Sequence, residues 1–282
     1  MGRTLASVLP LVADGRGEII VVDSGSTDRT VEIAKAYGAK VFVEAWKGYA
    51  AQKNSAIGKA AGEWILSLDA DEEVGQALAA EIADLFPATR PSHTELLELA
   101  EESRQQITRQ SLREFKSLAK EKGLTEGGVF ITVSGFWIRR KNEFLGRWIR
   151  HGGFWPDPKL RLFRRGGARF EERAVHEDAK LVDGISGRLK GALLHHSYPT
   201  LADYLDHMNR YSSLGAEMVA AEGRVRFSGF NIVVRPLATF IYNYFFRLGF
   251  LDGREGLLLH LYHAVYVSWK YAKAWELGRK KS

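Results

Sequence analysis

Three short strand-like runs separated by two helix-like stretches restrict the front of this chain more than any other feature. Glu18 to Val22 reads EIIVV, a β-branched run that predicts a buried strand. It opens into Asp23-Ser24-Gly25-Ser26-Thr27-Asp28, a polar, turn-prone loop. A helix is expected from about Asp28 to Tyr37, with Val31, Ile33, Ala34 and Tyr37 as its apolar face and Gly38 as its stop. Lys40 to Glu44 predicts a second strand, Ala50 to Ala61 a second helix, and Trp64 to Leu68 a third strand. This alternation predicts an α/β fold with a doubly wound, mostly parallel sheet.

The third run ends in Asp69-Ala70-Asp71, followed by Glu72 and Glu73. Alternate residues of a strand share a face, so Asp69 and Asp71 can both aim at one ligand. Two carboxylates at a strand exit suit a hard divalent cation, Mg²⁺ or Mn²⁺, and through it a diphosphate. The plainer reading is an acidic exit that caps the next helix. Asp23, with Ser24 beside it, also stands at a strand exit, where ligands of doubly wound sheets bind. Asp23 can accept from a nucleobase N–H or a ribose hydroxyl. Ser24-Gly25-Ser26-Thr27 lacks the GxGxxG spacing and a Walker lysine, which argues against a dehydrogenase or P-loop kinase.

Beyond a helix expected from Gln76 to Leu85, the stretch from Pro87 to Gly128 changes character. It is rich in Glu, Gln, Arg and Lys, with leucines at helical intervals, and predicts one or two amphipathic helices. Arg139 to Asp178 interleaves basic and aromatic residues, chemistry that grips either a sugar diphosphate or single-stranded nucleic acid. Paired acids at a strand end have no use in the second case, so a nucleic-acid partner is not expected. Lys53 and Arg161 are candidates to offset charge on a departing diphosphate, against ordinary surface roles for both. Val175-His176-Glu177-Asp178 supplies candidate bases: Glu177 first, Asp178 second, and His176 as an orienting group. A helix N-terminal acidic cluster is the structural alternative. His195 and His196 follow an apolar run, and one of them, assigned as His196, is a candidate third cation ligand.

Leu201 to Ala221 predicts a helix rich in Tyr and Met, and Phe230 to Phe250 and Gly256 to Trp269 are apolar. Both apolar stretches fall short of the roughly 18 uninterrupted residues that mark a membrane span. Aromatics beside basic residues suit helices lying in a membrane interface, against the alternative of a buried pair covering the sheet. The net charge of +6 would favour an anionic, cytoplasmic lipid face. The absence of cysteine excludes disulfide and thiolate chemistry.

Five stretches carry a resemblance, in their order and spacing, to the inverting family 2 glycosyltransferases of GT-A fold. They are EIIVVDSGSTDRTVEIAKAYGAKVF, WKGYAAQKNSAIGKAAGEWILSLDADEEV, FLGRWIRHGGFWPDPKLRLFRRG, AVHED and FLDGREGLLLHLYHAVYVSWKYAKAWE. The likeness is strongest to the lipopolysaccharide-core branch that includes β-1,4-glucosyltransferases. It implies that Asp23 contacts the nucleotide, that Asp69 and Asp71 form a DxD motif with Asp71 the main metal ligand, and that Glu177 is the base. It implies a UDP-sugar such as UDP-glucose as donor and a lipid-linked saccharide as acceptor, with peripheral attachment at the cytoplasmic membrane. Transfer to a polyprenyl phosphate, or an impaired membrane-associated homologue, are the alternatives.

On this reading residues 1–86 form the nucleotide-sugar half, 87–128 a helical insert, 129–200 the acceptor-side catalytic half, and 201–282 a C-terminal helical region. Two departures from the resemblance are expected. The chain opens at a helix, from about Thr4 to Leu11, where relatives carry a preceding strand, so a truncated or misplaced start is expected. The 87–128 insert is longer than the usual crossing.

Overall fold

The β-branched and aliphatic runs form strands, and the stretches between them form short helices. The computed structural model describes residues 1–86, 133–171, 178–223 and 226–279. Helix α1 (Gly2–Val12) precedes β1 (Ile20–Asp23), α2 (Thr30–Ala36), β2 (Lys40–Val43), α3 (Tyr49–Lys59) and β3 (Trp64–Leu66). Strand β4 (Glu72–Val74) and α4 (Gln76–Leu85) follow. The expected insert at 87–128 lies outside the described residues. Beyond it come β5 (Val133–Phe144), β6 (Arg147–Trp148), β7 (Pro158–Arg164), β8 (Ala168–Phe170), β9 (Ala179–Leu181) and β10 (Ile185–Tyr198). Among the described residues the α-helices that follow are α5 (Leu201–Ala221), α6 (Arg235–Ile241) and α7 (Gly253–Arg279).

The central sheet runs β3-β7-β5-β10-β4, with β6 added to β5. Only β5 and β10 lie parallel within it; β3–β7, β7–β5 and β10–β4 are antiparallel. The mostly parallel sheet expected from the sequence is thus corrected to a mixed one. The reversal at Leu145-Gly146, both at positive φ, accounts for one antiparallel pair, β5 with β6, because a tight turn delivers an antiparallel neighbour where a parallel one needs a long crossover. The pairs β3–β7 and β10–β4 join segments about 100 residues apart or more, which no local pattern reports. Burial selects the same aliphatic residues in either direction, so composition cannot report it.

β1 and β2 form a separate two-stranded parallel sheet. Among the described residues β1 pairs only with β2, and β3 only with β7. Glu18 Oε1, accepting from the Ala61 amide at 2.6 Å, ties the lead-in to β1 to the lead-in to β3. Helix α1 braces the turn between β3 and β4: Thr4 Oγ1 donates to the Ala70 carbonyl at 2.8 Å, and Ser7 Oγ accepts from the Val74 amide at 3.0 Å. Its Leu5 is buried with Val21 of β1 and Ala34 of α2.

Two core clusters flank the central sheet, one around Ile65, Leu160, Phe163 and Phe170, the other around Leu78, Ile138, Leu162 and Leu193. A third joins Phe144 and Ile149 to Tyr204 and Met208 of α5 and Leu259 of α7, which fastens the C-terminal helices to the sheet. The segment from Phe227 to Leu251 differs. It includes α6 between two π-helical turns, Phe230–Val234 and Tyr242–Phe246, and many of its large apolar side chains stay in solvent. Phe246 is 75% exposed and Phe230 62%. No described helix is long and apolar enough to cross a membrane.

Candidate active site

Strand β3 ends early, at Leu66, and the next residues form a turn closed by the Glu72 amide donating to the Asp69 carbonyl at 3.0 Å. That turn carries Asp69 and Asp71 to the wall of a cavity of about 640 Å³. Lys53 of α3, Arg161 and Lys159 of β7, and Arg140 of β5 line the same polar side. Tyr204, His207 and Tyr211 of α5 and His263 and Tyr266 of α7 add an aromatic lining to the same cavity, with Met208 of α5 among them. His207 and Tyr211 are stacked, with ring centroids 4.1 Å apart and an interplanar angle of 17°.

The two acids differ in their surroundings. Asp69 is held on both oxygens: Lys53 Nζ lies 2.6 Å from Oδ1, and Arg161 Nη2 lies 2.5 Å from Oδ2. Burial pushes its pKa up, but Arg161 and Lys53 prevail and hold the carboxyl below the ordinary range. Asp71 is more open. Its Oδ2 lies 3.3 Å from His195 Nε2. Burial again raises its pKa and the His195 contact overrides it, so the carboxyl is also depressed.

Beneath these acids lies an ion-pair network organised by Glu72, whose side chain is fully buried. Its Oε1 accepts from Arg161 Nη2 at 2.7 Å and from Arg140 Nη1 at 3.1 Å. Arg140 Nη2 in turn meets Asp157 Oδ2 at 2.8 Å. Burial works against the charge on Arg161, and the carboxylates of Asp69 and Glu72 reverse that, raising its pKa above the usual guanidinium value. Lys159 pairs with Asp178 at 2.9 Å. Each of the four cationic side chains lining the cavity therefore already faces a carboxylate. A diphosphate entering here meets no unpaired cation among them, and a divalent ion would supply the missing charge.

The residues expected from the sequence are not all brought together. Lys53, Asp69, Asp71 and Arg161 share the cavity; Asp23, Ser24, Asp178 and His196 are outside its lining. Asp23 is buried and turned onto its own loop, where Oδ1 accepts from the Gly25 and Ser26 amides at 2.9 Å and Oδ2 from Ser26 Oγ at 2.5 Å. The Ser26 hydroxyl, with those amides, outweighs burial and lowers its pKa. His176 and Glu177 lie outside the described residues.

His196 is engaged elsewhere: Nδ1 meets Glu143 Oε2 at 2.5 Å and Nε2 meets Glu73 Oε2 at 3.1 Å. Both ring nitrogens have partners, so the ring is not positioned with Asp71. Its neighbour His195 is. His195 Nδ1 lies 2.7 Å from both Asn142 Oδ1 and Ser197 Oγ, contacts that orient the ring.

Among the described residues no group of three or more His, Cys, Asp or Glu side chains is arranged to hold a metal ion. Asp71 and His195 make a two-donor set. The carboxylate of Asp71 has the oxygen chemistry of a Mg²⁺ or Mn²⁺ ligand, and the His195 imidazole is a softer donor beside it, so the pair would hold such an ion only with further oxygen donors. Sequence reasoning named His195 with His196 but assigned the ligand role to His196, and it passed over Arg140, Asp157 and the tyrosine-histidine lining. The basic-aromatic stretch and the Tyr-rich helix signalled these three as composition but could not aim them.

Glycosyl transferase family 2 matches residues 1–165 of this chain. An uncharacterized glycosyltransferase of Rickettsia typhi is 28% identical over 278 residues, covering 98% of this chain and 84% of its own length. The lipopolysaccharide core biosynthesis glycosyltransferase LpsC of Rhizobium meliloti is 26% identical over 266 residues, 92% of this chain and 83% of its own. Among solved structures, S. aureus TarS 1-349 aligns over 94% of this chain and 82% of its own, at 15% identity and a TM-score of 0.33.

Proposed function

This chain belongs to glycosyl transferase family 2, and from that premise we propose an inverting transferase that moves a sugar from a nucleotide diphosphate to a lipid-linked saccharide. The observation that carries the reading is the Asp69–Asp71 turn opening onto a cavity that aromatic side chains of α5 and α7 also line. Charge chemistry for a diphosphate and stacking surface for a sugar ring then meet in one space. UDP-glucose or a similar UDP-sugar is the proposed donor. A lipopolysaccharide-core saccharide is the proposed acceptor, supported by the likeness to LpsC.

In the proposed reaction Glu177 takes the proton from the acceptor hydroxyl, whose oxygen attacks the anomeric carbon. The bond from that carbon to the diphosphate oxygen breaks, the nucleoside diphosphate leaves, and configuration inverts. Lys53 and Arg161, which line the cavity and pair with Asp69, are proposed to share charge with the departing phosphate. Asp71 and His195 would hold Mg²⁺ or Mn²⁺, which when bound supplies Lewis-acid help to the leaving oxygen. Asp23 and Ser24 are proposed to receive the nucleoside from the neighbouring loop. Asp178, paired with Lys159, is the second-choice base.

Peripheral attachment to the inner face of the cytoplasmic membrane is part of the same proposal. The exposed apolar residues between Phe227 and Leu251 support it, because Arg226, Arg235 and Arg247 accompany them and no Asp or Glu interrupts the run.

The test is a hydrolysis and transfer screen of UDP- and ADP-sugars with Mg²⁺ or Mn²⁺ against core-saccharide and polyprenyl-phosphate acceptors. The expected result is saturable, metal-dependent transfer with an inverted anomeric product. A retained configuration would remove the mechanism, and no turnover of any donor with either metal would remove the proposed reaction.

A further inference from the structure

A second concavity, of about 250 Å³, adjoins the main one. It is lined by Lys141, Trp148, Ile149, Arg150 and Trp155, and Ile149 is shared with the main cavity. No acid lines it. Unlike the cations around Asp69, the side chains of Lys141 and Arg150 face no carboxylate among the described residues. Lys141 Nζ lies 5.8 Å from the centre of the Trp155 ring, and the Arg139 guanidinium carbon lies 5.4 Å from it. Arg139 Nε is buried and has no hydrogen-bond partner. Surplus positive charge beside two indoles is the chemistry that holds an anionic group together with a sugar face. The volume is just under the roughly 300–1,000 Å³ of pockets for drug-sized ligands, which suits one monosaccharide unit.

The place of this pocket separates it from the donor end. Asp69, Asp71, Lys53 and Arg161 line only the main cavity. The loop carrying Arg150 is fastened instead to the exposed apolar segment: buried Asp252 accepts from the Arg150 amide at 3.2 Å and from the His151 amide at 2.8 Å. Asp252 immediately follows the apolar run that ends at Leu251.

We propose that this second pocket is an acceptor subsite that binds a carboxylate- or phosphate-bearing sugar neighbouring the one to be glycosylated. Its assignment to the acceptor rests on the transferase reading. Its ligand chemistry does not, and it is tested without donor, metal or turnover.

The full chain is titrated with glucose, glucuronate, glucose 6-phosphate and inorganic phosphate, followed by tryptophan fluorescence and saturation-transfer NMR. Glucuronate or glucose 6-phosphate should bind at least tenfold more tightly than glucose. The preferred one of the two identifies a carboxylate or a phosphate as the recognised group. The double variant Lys141→Ala/Arg150→Ala should lose at least tenfold in that affinity while keeping its circular dichroism spectrum. Trp148→Phe, with a smaller change, should remove most of the fluorescence response.

Equal binding of glucose and the charged sugars would overturn the proposal. So would undiminished binding in the double variant, or inorganic phosphate binding as tightly as glucose 6-phosphate. Competitive displacement of the charged sugar by UDP would make the pocket a donor phosphate site and overturn it as well.

Discussion

His195 Nε2 stands 3.3 Å from Asp71 Oδ2, which joins the end of β10 to the turn after β3 at the wall of the main cavity. If these two groups hold the cation, Asp71→Asn should abolish metal-dependent transfer, and His195→Ala should weaken metal affinity about 10- to 100-fold or more, a typical loss for a ligand or its support. His196→Gln should keep its metal dependence, since that ring is committed to Glu143 and Glu73. Metal titrations of donor turnover check all three. Equal damage from the His195 and His196 variants would remove the distinction.

Glu72 is a stability position. Replacing it by Gln leaves Arg161 and Arg140 facing a neutral group in a buried network, and should cost about 3–5 kcal/mol in urea unfolding. A loss below about 1 kcal/mol would mean that Asp69 and Asp157 alone satisfy the two guanidinium groups.

Glu177→Gln should lower turnover about 100-fold or more, the range for losing a general base, while donor KM changes only a few-fold. Near-normal turnover would move the base to Asp178 or His176.

His260 is packed between the Gly152 loop and Gly249, with neither ring nitrogen hydrogen-bonded, and burial lowers its pKa to about 4. The unfolded ring titrates near the ordinary imidazole value of 6.5. Between these values the unfolded chain binds a proton that the folded chain refuses, so stability should fall as pH drops from about 6.5 to about 4. Denaturant titrations across that window should show a weaker pH slope in His260→Gln than in the parent, whatever the variant's absolute stability. An unchanged slope would assign the acid loss to other groups.

Phe230→Glu and Phe246→Glu place charge on the exposed apolar segment. Both should reduce sedimentation with anionic vesicles at least tenfold while leaving the unfolding midpoint nearly unchanged, because neither side chain is buried. Wild-type binding should also weaken with salt. Vesicle binding that ignores both substitutions would remove this segment as the contact.

Much of the local architecture was legible in residue order. The Gln76–Leu85 and Leu201–Ala221 helices have the bounds that periodicity suggests, and Lys40 to Glu44 shortens by one residue as a strand. Asp69 and Asp71 were legible as neighbouring acids at the end of the third strand, but not through strand alternation: β3 stops at Leu66, and the turn after it sends Asp69 to Lys53 and Arg161 and Asp71 to His195. The histidines show the opposite case. Successive residues of a strand face opposite ways, so choosing between His195 and His196 requires the register of β10, which sets His195 against Asn142 of β5 and Glu72 of β4. That register also shifts along β10, so counting residues from the apolar run does not recover it. Arg161 illustrates both: its type marked it as a candidate, but its two carboxylate partners come from the turn after β3 and the start of β4.

Residue order alone determined most of the strand and helix positions at the front of the chain and set two acids just beyond the third strand, because hydrophobic period, β-branching and glycine stops act over a few residues. Tertiary structure decided the direction of the strands, the split of the described strands into three sheets, and which histidine meets Asp71. Those depend on pairing between segments far apart in the chain, where one residue of register reverses the side on which a group stands.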